Sequence, residues 1–217
     1  MYLPSNFLET TQAEILELMR ARPFANIVTR EPELFLNAAP MLVDAENDSV
    51  SLRFHLALRN PQCDALSTAG CECVVVFNGP DCYVSPSWYD EALSVPTWNY
   101  QMVQARGRVE ALTPSELEGL LRDLTSLHES AVSGTYRYDA LPADFRAKLL
   151  AEIRGFRLHV DDLSAKSKLS QNRPRADQER VCQRLLESND TSAQAVGRAM
   201  ARRLSLVVDT IRRTPVP

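Results

Sequence analysis

Glycine is scarce: only seven stand among 217 residues, and none falls into the phosphate-cradling patterns of a P-loop or a dinucleotide-binding turn. A Rossmann domain is therefore excluded, and the lack of a Gly-x-Ser-x-Gly elbow excludes the usual α/β-hydrolase nucleophile. Histidine is scarcer still. His55, His128 and His159 lie far apart and in no metal-ligand register, so no metal site is expected. No run approaches the roughly 18 consecutive apolar residues of a membrane span. The opening Met1-Tyr2-Leu3-Pro4-Ser5-Asn6-Phe7 lacks the basic-then-apolar order of a signal peptide, so a cytoplasmic protein is expected. The five cysteines form an odd, irregular set with one close pair, Cys71-Glu72-Cys73. Reduced thiols follow from that pattern more readily than a disulfide framework or a tetrahedral zinc site.

What is present suffices for a full core, since 45% of the chain is hydrophobic. Charge is uneven: from Arg173 onward nine arginines face five acidic residues, a balance of +4 on a chain of net −4. A mildly basic tail on an acidic body is compatible with an acidic partner, but an Arg-rich surface helix gives the same count. Two capping boxes, Thr11-Gln12-Ala13-Glu14 and Thr113-Pro114-Ser115-Glu116, announce helices. Between and after them, Phe24 to Thr29, Leu34 to Val43, Val50 to Phe54, Val74 to Phe77, Val103 to Leu112 and Phe156 to Val160 read as strands. A helix with Phe145, Leu149 and Ile153 aligned is expected from about 142 to 153. The tail reads as two helices, Ala176 to Glu187 and Thr191 to Arg213, the second carrying a stripe of Val196, Met200, Leu204, Val207 and Ile211. Short strands with few helices between them indicate an α+β, mainly antiparallel barrel rather than βαβ units.

Three segments concentrate polar and aromatic groups. Phe54-His55-Leu56-Ala57-Leu58-Arg59-Asn60-Pro61-Gln62 runs from a strand into a turn, where Asn60 would cap a short helix whose free N–H groups suit a phosphate beside Arg59. Gly79 to Tyr89 and Val95 to Gln101 gather both tryptophans, Trp88 and Trp98, with prolines and tyrosines, reading as the end of a strand and a loop. Lys166-Ser167-Lys168-Leu169-Ser170-Gln171-Asn172-Arg173 is a dense donor set expected directly after a strand. Each has a plainer reading: a structural histidine, a core or interface cluster of aromatics, a solvated turn. A pocket for a flat polar ligand uses all three.

Taken together these segments resemble the PaiB-type family of FMN-binding negative transcriptional regulators. The resemblance rests on Met1-Tyr2-Leu3-Pro4, His55 with Asn60-Pro61, Gly79-Pro80 through Ser87-Trp88-Tyr89, Val95-Pro96-Thr97-Trp98-Asn99-Tyr100, Gly155-Phe156 and Lys168-Leu169-Ser170-Gln171-Asn172-Arg173. It implies an FMN-binding split β-barrel over residues 1–172, homodimeric, with 173–217 as a helical extension packing on the domain or on the partner subunit. It further implies His55, Arg59, Asn60 and Gln62 near the FMN phosphate end. Trp88, Trp98, Asn99, Tyr100 and Gln101 would border the flavin, and Lys168, Ser170, Gln171 and Asn172 would close the pocket. The chain departs from the family where a Thr-His-Leu-Pro-like segment is expected, since it reads Asn37-Ala38-Ala39-Pro40.

Two functions compete within that resemblance. One is a regulator, with the tail helices inviting a helix-turn-helix reading and DNA as partner. The length and stripe of the second tail helix favour packing on a dimer partner instead. The other is an oxidoreductase on a small-molecule substrate, using flavin or alternatively haem, with His55 or Tyr100 as proton donors and His55 or His159 as axial ligands. A cofactor-free dimeric scaffold is the plainest alternative.

Overall fold

The computed structural model describes all residues except 10, 48, 92 and 206–217. Its strands are β1 (Leu8–Glu9), β2 (Phe24–Thr29), β3 (Phe35–Pro40), β4 (Leu42–Glu46), β5 (Ser49–Ala57), β6 (Glu72–Val84), β7 (Thr97–Ala111) and β8 (Ile153–Lys168). The helices are α1 (Gln12–Ala21), α2 (Gln62–Ser67), α3 (Pro114–Ala131), α4 (Ala143–Leu150), α5 (Arg175–Leu186) and α6 (Thr191–Arg203). The fold is thus α+β, with strand order β3-β2-β6-β7-β8-β5-β4 and β1 pairing on β8. The chain divides into two compact units, and the long strands β6, β7 and β8 contribute to both.

One unit comprises Thr11–Asn78 and Val103–Ser164. Alternation builds its sheet: in β5, Val50, Leu52, Phe54 and Leu56 are buried while Ser51, Arg53 and His55 face the other way. Phe54 stacks obliquely on its cross-strand partner Phe156 at 5.6 Å between ring centres. The capping box of α3 forms as the sequence indicates, with Glu116 N–H donating to Thr113 Oγ1 and Thr113 N–H donating to Glu116 Oε2. Leu117, Leu120 and Leu124 of α3 then bury against Leu42, Leu112, Leu150 and Ile153.

The other unit comprises Met1–Thr10, Gly79–Met102 and Ala165–Pro217. Its core joins Cys82 and Val84 of β6, Tyr89, and Leu169 to Val181 and Leu185 of α5 and Val196, Met200 and Leu204. Asp190 caps α6, accepting from Ser192 N–H at 2.8 Å. Val196, Met200 and Leu204 of the α6 stripe are thus buried within their own unit. The helix also ends at Arg203, and Val207 and Ile211 lie outside the described residues.

Four further expectations are corrected. The 34–43 strand breaks at Met41 into β3 and β4. The predicted loop at Trp98 to Gln101 is the start of β7, and the donor run from Lys166 to Lys168 ends β8 rather than following it. Finally, Phe145 and Leu149 of α4 are 47% and 42% exposed, so that helix has no buried face of the expected kind.

Candidate functional site

The sequence-predicted residues fall into two groups, one in each unit. In the first, β5 ends at Ala57 and the chain turns through Arg59-Asn60-Pro61 into α2. Asn60 closes that turn: its Oδ1 accepts from Gln62 N–H at 3.0 Å, and its backbone carbonyl accepts from Cys63 N–H at 2.9 Å. The Gln62 N–H expected to await a phosphate is thus already satisfied. The Gln62 side chain is fully buried and spent on protein partners as well. Its Nε2 donates to Ile27 O and Thr29 Oγ1, each at 3.2 Å, and its Oε1 accepts from Asn37 Nδ2 at 2.9 Å. Gln62 is a structural tie, and Asn37 is the group that completes it. The departure at Asn37-Ala38-Ala39-Pro40 therefore has a purpose on its polar residue. Arg59 alone remains available: it is exposed and has no ion-pair or hydrogen-bond partner among the described residues.

His55 sits differently from its neighbours in the motif. It pairs across the ladder with Gly155, and the face they share is covered by leucines. A Cβ on Gly155 would meet Leu117 Cδ1 at 2.9 Å and Leu112 Cδ1 at 3.0 Å. His55 Nδ1 is fully buried without a hydrogen-bond partner, and burial pushes the imidazole pKa down. Burial thus favours the neutral imidazole. His159 bonds Glu110 Oε1 through Nε2 at 2.9 Å. No group of three or more metal-ligating side chains occurs among the described residues.

In the second group, Trp98 is 54% exposed and meets Tyr83 edge-to-face at 6.3 Å, with Tyr83 itself 47% exposed. Trp88 turns the other way and packs on the α5–α6 core. Alternation in β7 puts Asn99 inside, where its Nδ2 donates to Ser170 Oγ at 2.9 Å. Gln101 Nε2 donates to Ser167 Oγ at 3.1 Å. The Lys166 ammonium lies over the rings of Tyr100 and Tyr2, at 5.4 and 5.6 Å. Lys168 donates to Thr97 Oγ1 and to the Trp98 carbonyl, the latter at 2.6 Å, and burial together with Lys166 lowers its pKa. Gln171 is consumed locally, accepting from Leu169 N–H at 2.6 Å and donating to the Ser167 carbonyl. That tie supports the left-handed backbone of buried Ser170, at φ 64°. Asn172 is exposed.

Two residues that the pattern did not single out for the site emerge here, Asn37 and Thr29. A cavity of about 730 Å³ in the first unit is lined by Thr29, Arg30, Ala65, Val74 and Arg106 among others and by none of the predicted site residues. Its Arg30 and Arg106 carry no motif signal, so sequence reading had no means to find it.

This architecture is a split β-barrel. Among solved structures it resembles the FAD and haem binding protein of Mycobacterium smegmatis, with a TM-score of 0.54 at 18% identity over 74% of this chain and 73% of that one. It also resembles the flavocytochrome Anf3 of Azotobacter vinelandii, with a TM-score of 0.54 at 13% identity over 76% and 72% of the two chains. The chain belongs to the family described as "Putative FMN-binding domain", whose model matches residues 1–162. It is 32% identical to the protease synthase and sporulation protein PAI 2 of Bacillus subtilis over 94% of this chain and 98% of that protein. An uncharacterised protein of Emericella nidulans is 27% identical over 83% and 88% of the two chains. No helix among the described residues is long and apolar enough to cross a membrane.

Proposed function

We propose that this protein is a PaiB-like FMN-binding homodimer of the cytoplasm, serving a regulatory function. The observation that carries the FMN reading is Arg59, an exposed and unpartnered guanidinium held at a turn that Asn60 and Gln62 make rigid. A planar fork of N–H donors on a fixed turn suits a phosphate, and leaving such a cation unpaired has no structural return. The donor set elsewhere also suits a flavin, whose ring edges offer carbonyl oxygens and nitrogens to amides and hydroxyls and whose faces stack on aromatics. FMN, when bound, supplies reversible hydride or electron transfer. Arg59 would bind its phosphate.

The dimer reading is supported by the edge strand β3 and its neighbour β2, where Phe24, Leu34 and Leu36 are 68%, 73% and 67% exposed. Apolar side chains along a sheet edge invite pairing with a second copy. A cytoplasmic setting fits five unpaired thiols.

An oxidoreductase is the second reading, and the exposed Tyr83–Trp98 pair favours it because it offers a wall for a flat small-molecule substrate. Two assays separate the readings. A regulator shifts a DNA fragment from its own operon at physiological salt and leaves bound FMN oxidised in the presence of NAD(P)H. An oxidoreductase bleaches the flavin with NAD(P)H or a substrate and shifts no DNA. The FMN claim itself is tested by Arg59→Ala, which should lower FMN affinity about tenfold or more with no change in melting temperature. Unchanged affinity would refute the assignment of Arg59.

A further inference from the structure

We infer that Asn37 is a positioning residue for the phosphate end of the flavin site, setting how strongly Arg59 discriminates FMN from riboflavin; this rests on the FMN reading and deepens it. Arg59 has no ion-pair or hydrogen-bond partner among the described residues, so the backbone alone sets where its guanidinium starts from. That backbone is a tight turn. Asn60 N–H donates to the Ala57 carbonyl at 2.9 Å, and Leu58 N–H donates to the Glu152 carbonyl at 2.8 Å. Arg59 is the third residue of the turn and Asn60 its last. Whatever holds Asn60 therefore aims Arg59.

The hold comes from the neighbouring hairpin. Asn37 lies on the edge strand β3, opposite Ile27 of β2. Its Nδ2 carries two N–H groups and has two acceptors in reach, Gln62 Oε1 at 2.9 Å and Asn60 Oδ1 at 3.4 Å. Asn60 Oδ1 also accepts from Gln62 N–H at 3.0 Å, which closes a ring of three residues. The fully buried Gln62 carries the tie onward: its Nε2 donates to the carbonyl of that same Ile27 and to Thr29 Oγ1, each at 3.2 Å. Both ends of the Gln62 amide are thus committed, and one orientation satisfies them all. Turned over, Gln62 would set Nε2 against Asn37 Nδ2, donor against donor, and Oε1 against the Ile27 carbonyl.

Asn37 never touches the ligand in this account; it acts through Asn60 on Arg59. Without the Asn37 donor, the buried Gln62 Oε1 has lost its partner and Asn60 Oδ1 has lost one of its two donors. The amide of Gln62 then has reason to turn, and the bonds that fix the Arg59 turn loosen with it. Arg59 must be ordered at the moment a phosphate arrives, and that ordering weakens binding. Riboflavin has no phosphate for Arg59 to hold, so its affinity does not respond. The discrimination between the two flavins is therefore the property that Asn37 controls.

The test is a double-mutant cycle on the full-length, cofactor-free protein, with FMN and riboflavin each titrated by flavin fluorescence. The variants are Asn37→Leu, Arg59→Ala and the two together; leucine keeps the branched shape of asparagine and removes its donor. Asn37→Leu should weaken FMN binding about fivefold, leave riboflavin binding within about twofold, and add nothing to the loss caused by Arg59→Ala. Asn37→Thr keeps a hydroxyl donor at a strand position. It should show a smaller loss for FMN, again with none for riboflavin, and it supplies the answer where Asn37→Leu fails to fold. A merely structural Asn37 would weaken both flavins alike, or its effect would multiply with that of Arg59→Ala. Either result, or FMN binding unchanged by Asn37→Leu, overturns the assignment. If Arg59→Ala itself binds FMN as the wild type does, the Arg59 reading has failed, and the role of Asn37 falls with it whatever Asn37→Leu shows.

Discussion

Two residues of one motif have opposite fates, and burial decides which. Gln62 and Arg59 lie three positions apart, yet Gln62 is fully buried with four polar partners or neighbours in its network while Arg59 faces solvent. Gln62→Leu would remove the Thr29 and Ile27 partner and leave Asn37 only its longer bond to Asn60 Oδ1, and should cost about 3 kcal/mol, read from the denaturant midpoint. Arg59→Ala should leave that midpoint unchanged to within about 0.5 kcal/mol. His55 makes a prediction with a defined sign. Burial lowers its folded pKa below the ordinary imidazole value of about 6.5, so on acidification the unfolded chain takes up a proton before the folded one does. Stability should therefore be full above that value and fall as the pH drops below it, until folded His55 titrates too. His55→Gln should flatten this part of the stability curve; an unchanged slope would show that the imidazole is solvated. Cys73 and Cys82 are pushed up to about 12, chiefly by burial, so native alkylation should mark half-exposed Cys71 first and these two only on unfolding.

At the scale of elements, local signals were legible where one short-range interaction dominates. The α3 box formed because Thr113 and Glu116 satisfy each other's backbone, whereas Thr11 makes no cap hydrogen bond from its side chain at α1. Thr113→Ala should accordingly destabilise by about 1 kcal/mol in a thermal or chemical melt. Strand ends were not legible. Gly79-Pro80 and Trp98-Asn99-Tyr100-Gln101 look like turn and loop chemistry, but ladder pairing carries β6 and β7 through them, and propensity yields to such pairing. Gly107 shows how tight that packing is. An added Cβ would fall on the His159 carbonyl oxygen, so Gly107→Ala should cost about 3 kcal/mol or prevent folding. The candidate site was legible in part for the same reasons. Lys168, Ser170, Asn99 and Asn172 do line one cavity, as their co-occurrence in donor-rich segments indicated. Gln62 and Gln171 were indistinguishable from them in sequence, because an amide offered to a ligand and an amide spent on backbone have the same letter. Asn37 stood out only as part of a departure from the family, because its role depends on a hydrogen bond 25 residues away.

For the whole molecule, the fold and family are fixed by the split-barrel likeness and by the match over residues 1–162, while assembly and ligand rest on exposed groups. The apolar edge at Phe24, Leu34 and Leu36 predicts a dimer by sedimentation, and Leu36→Asp should yield a folded monomer with an unchanged far-ultraviolet spectrum. The α5–α6 pair belongs to the core of its unit, so removing residues 173–217 should expose Val84, Tyr89 and Leu169 and give insoluble protein rather than an active barrel. The most direct test of the central claim is a titration of the purified, cofactor-free protein with FMN, followed by visible absorbance and calorimetry, with riboflavin in parallel. The account predicts saturable binding of one FMN per subunit, with perturbed flavin bands and clearly weaker riboflavin binding because Arg59 loses its phosphate. A protein that leaves the FMN spectrum unperturbed and releases no heat would contradict it.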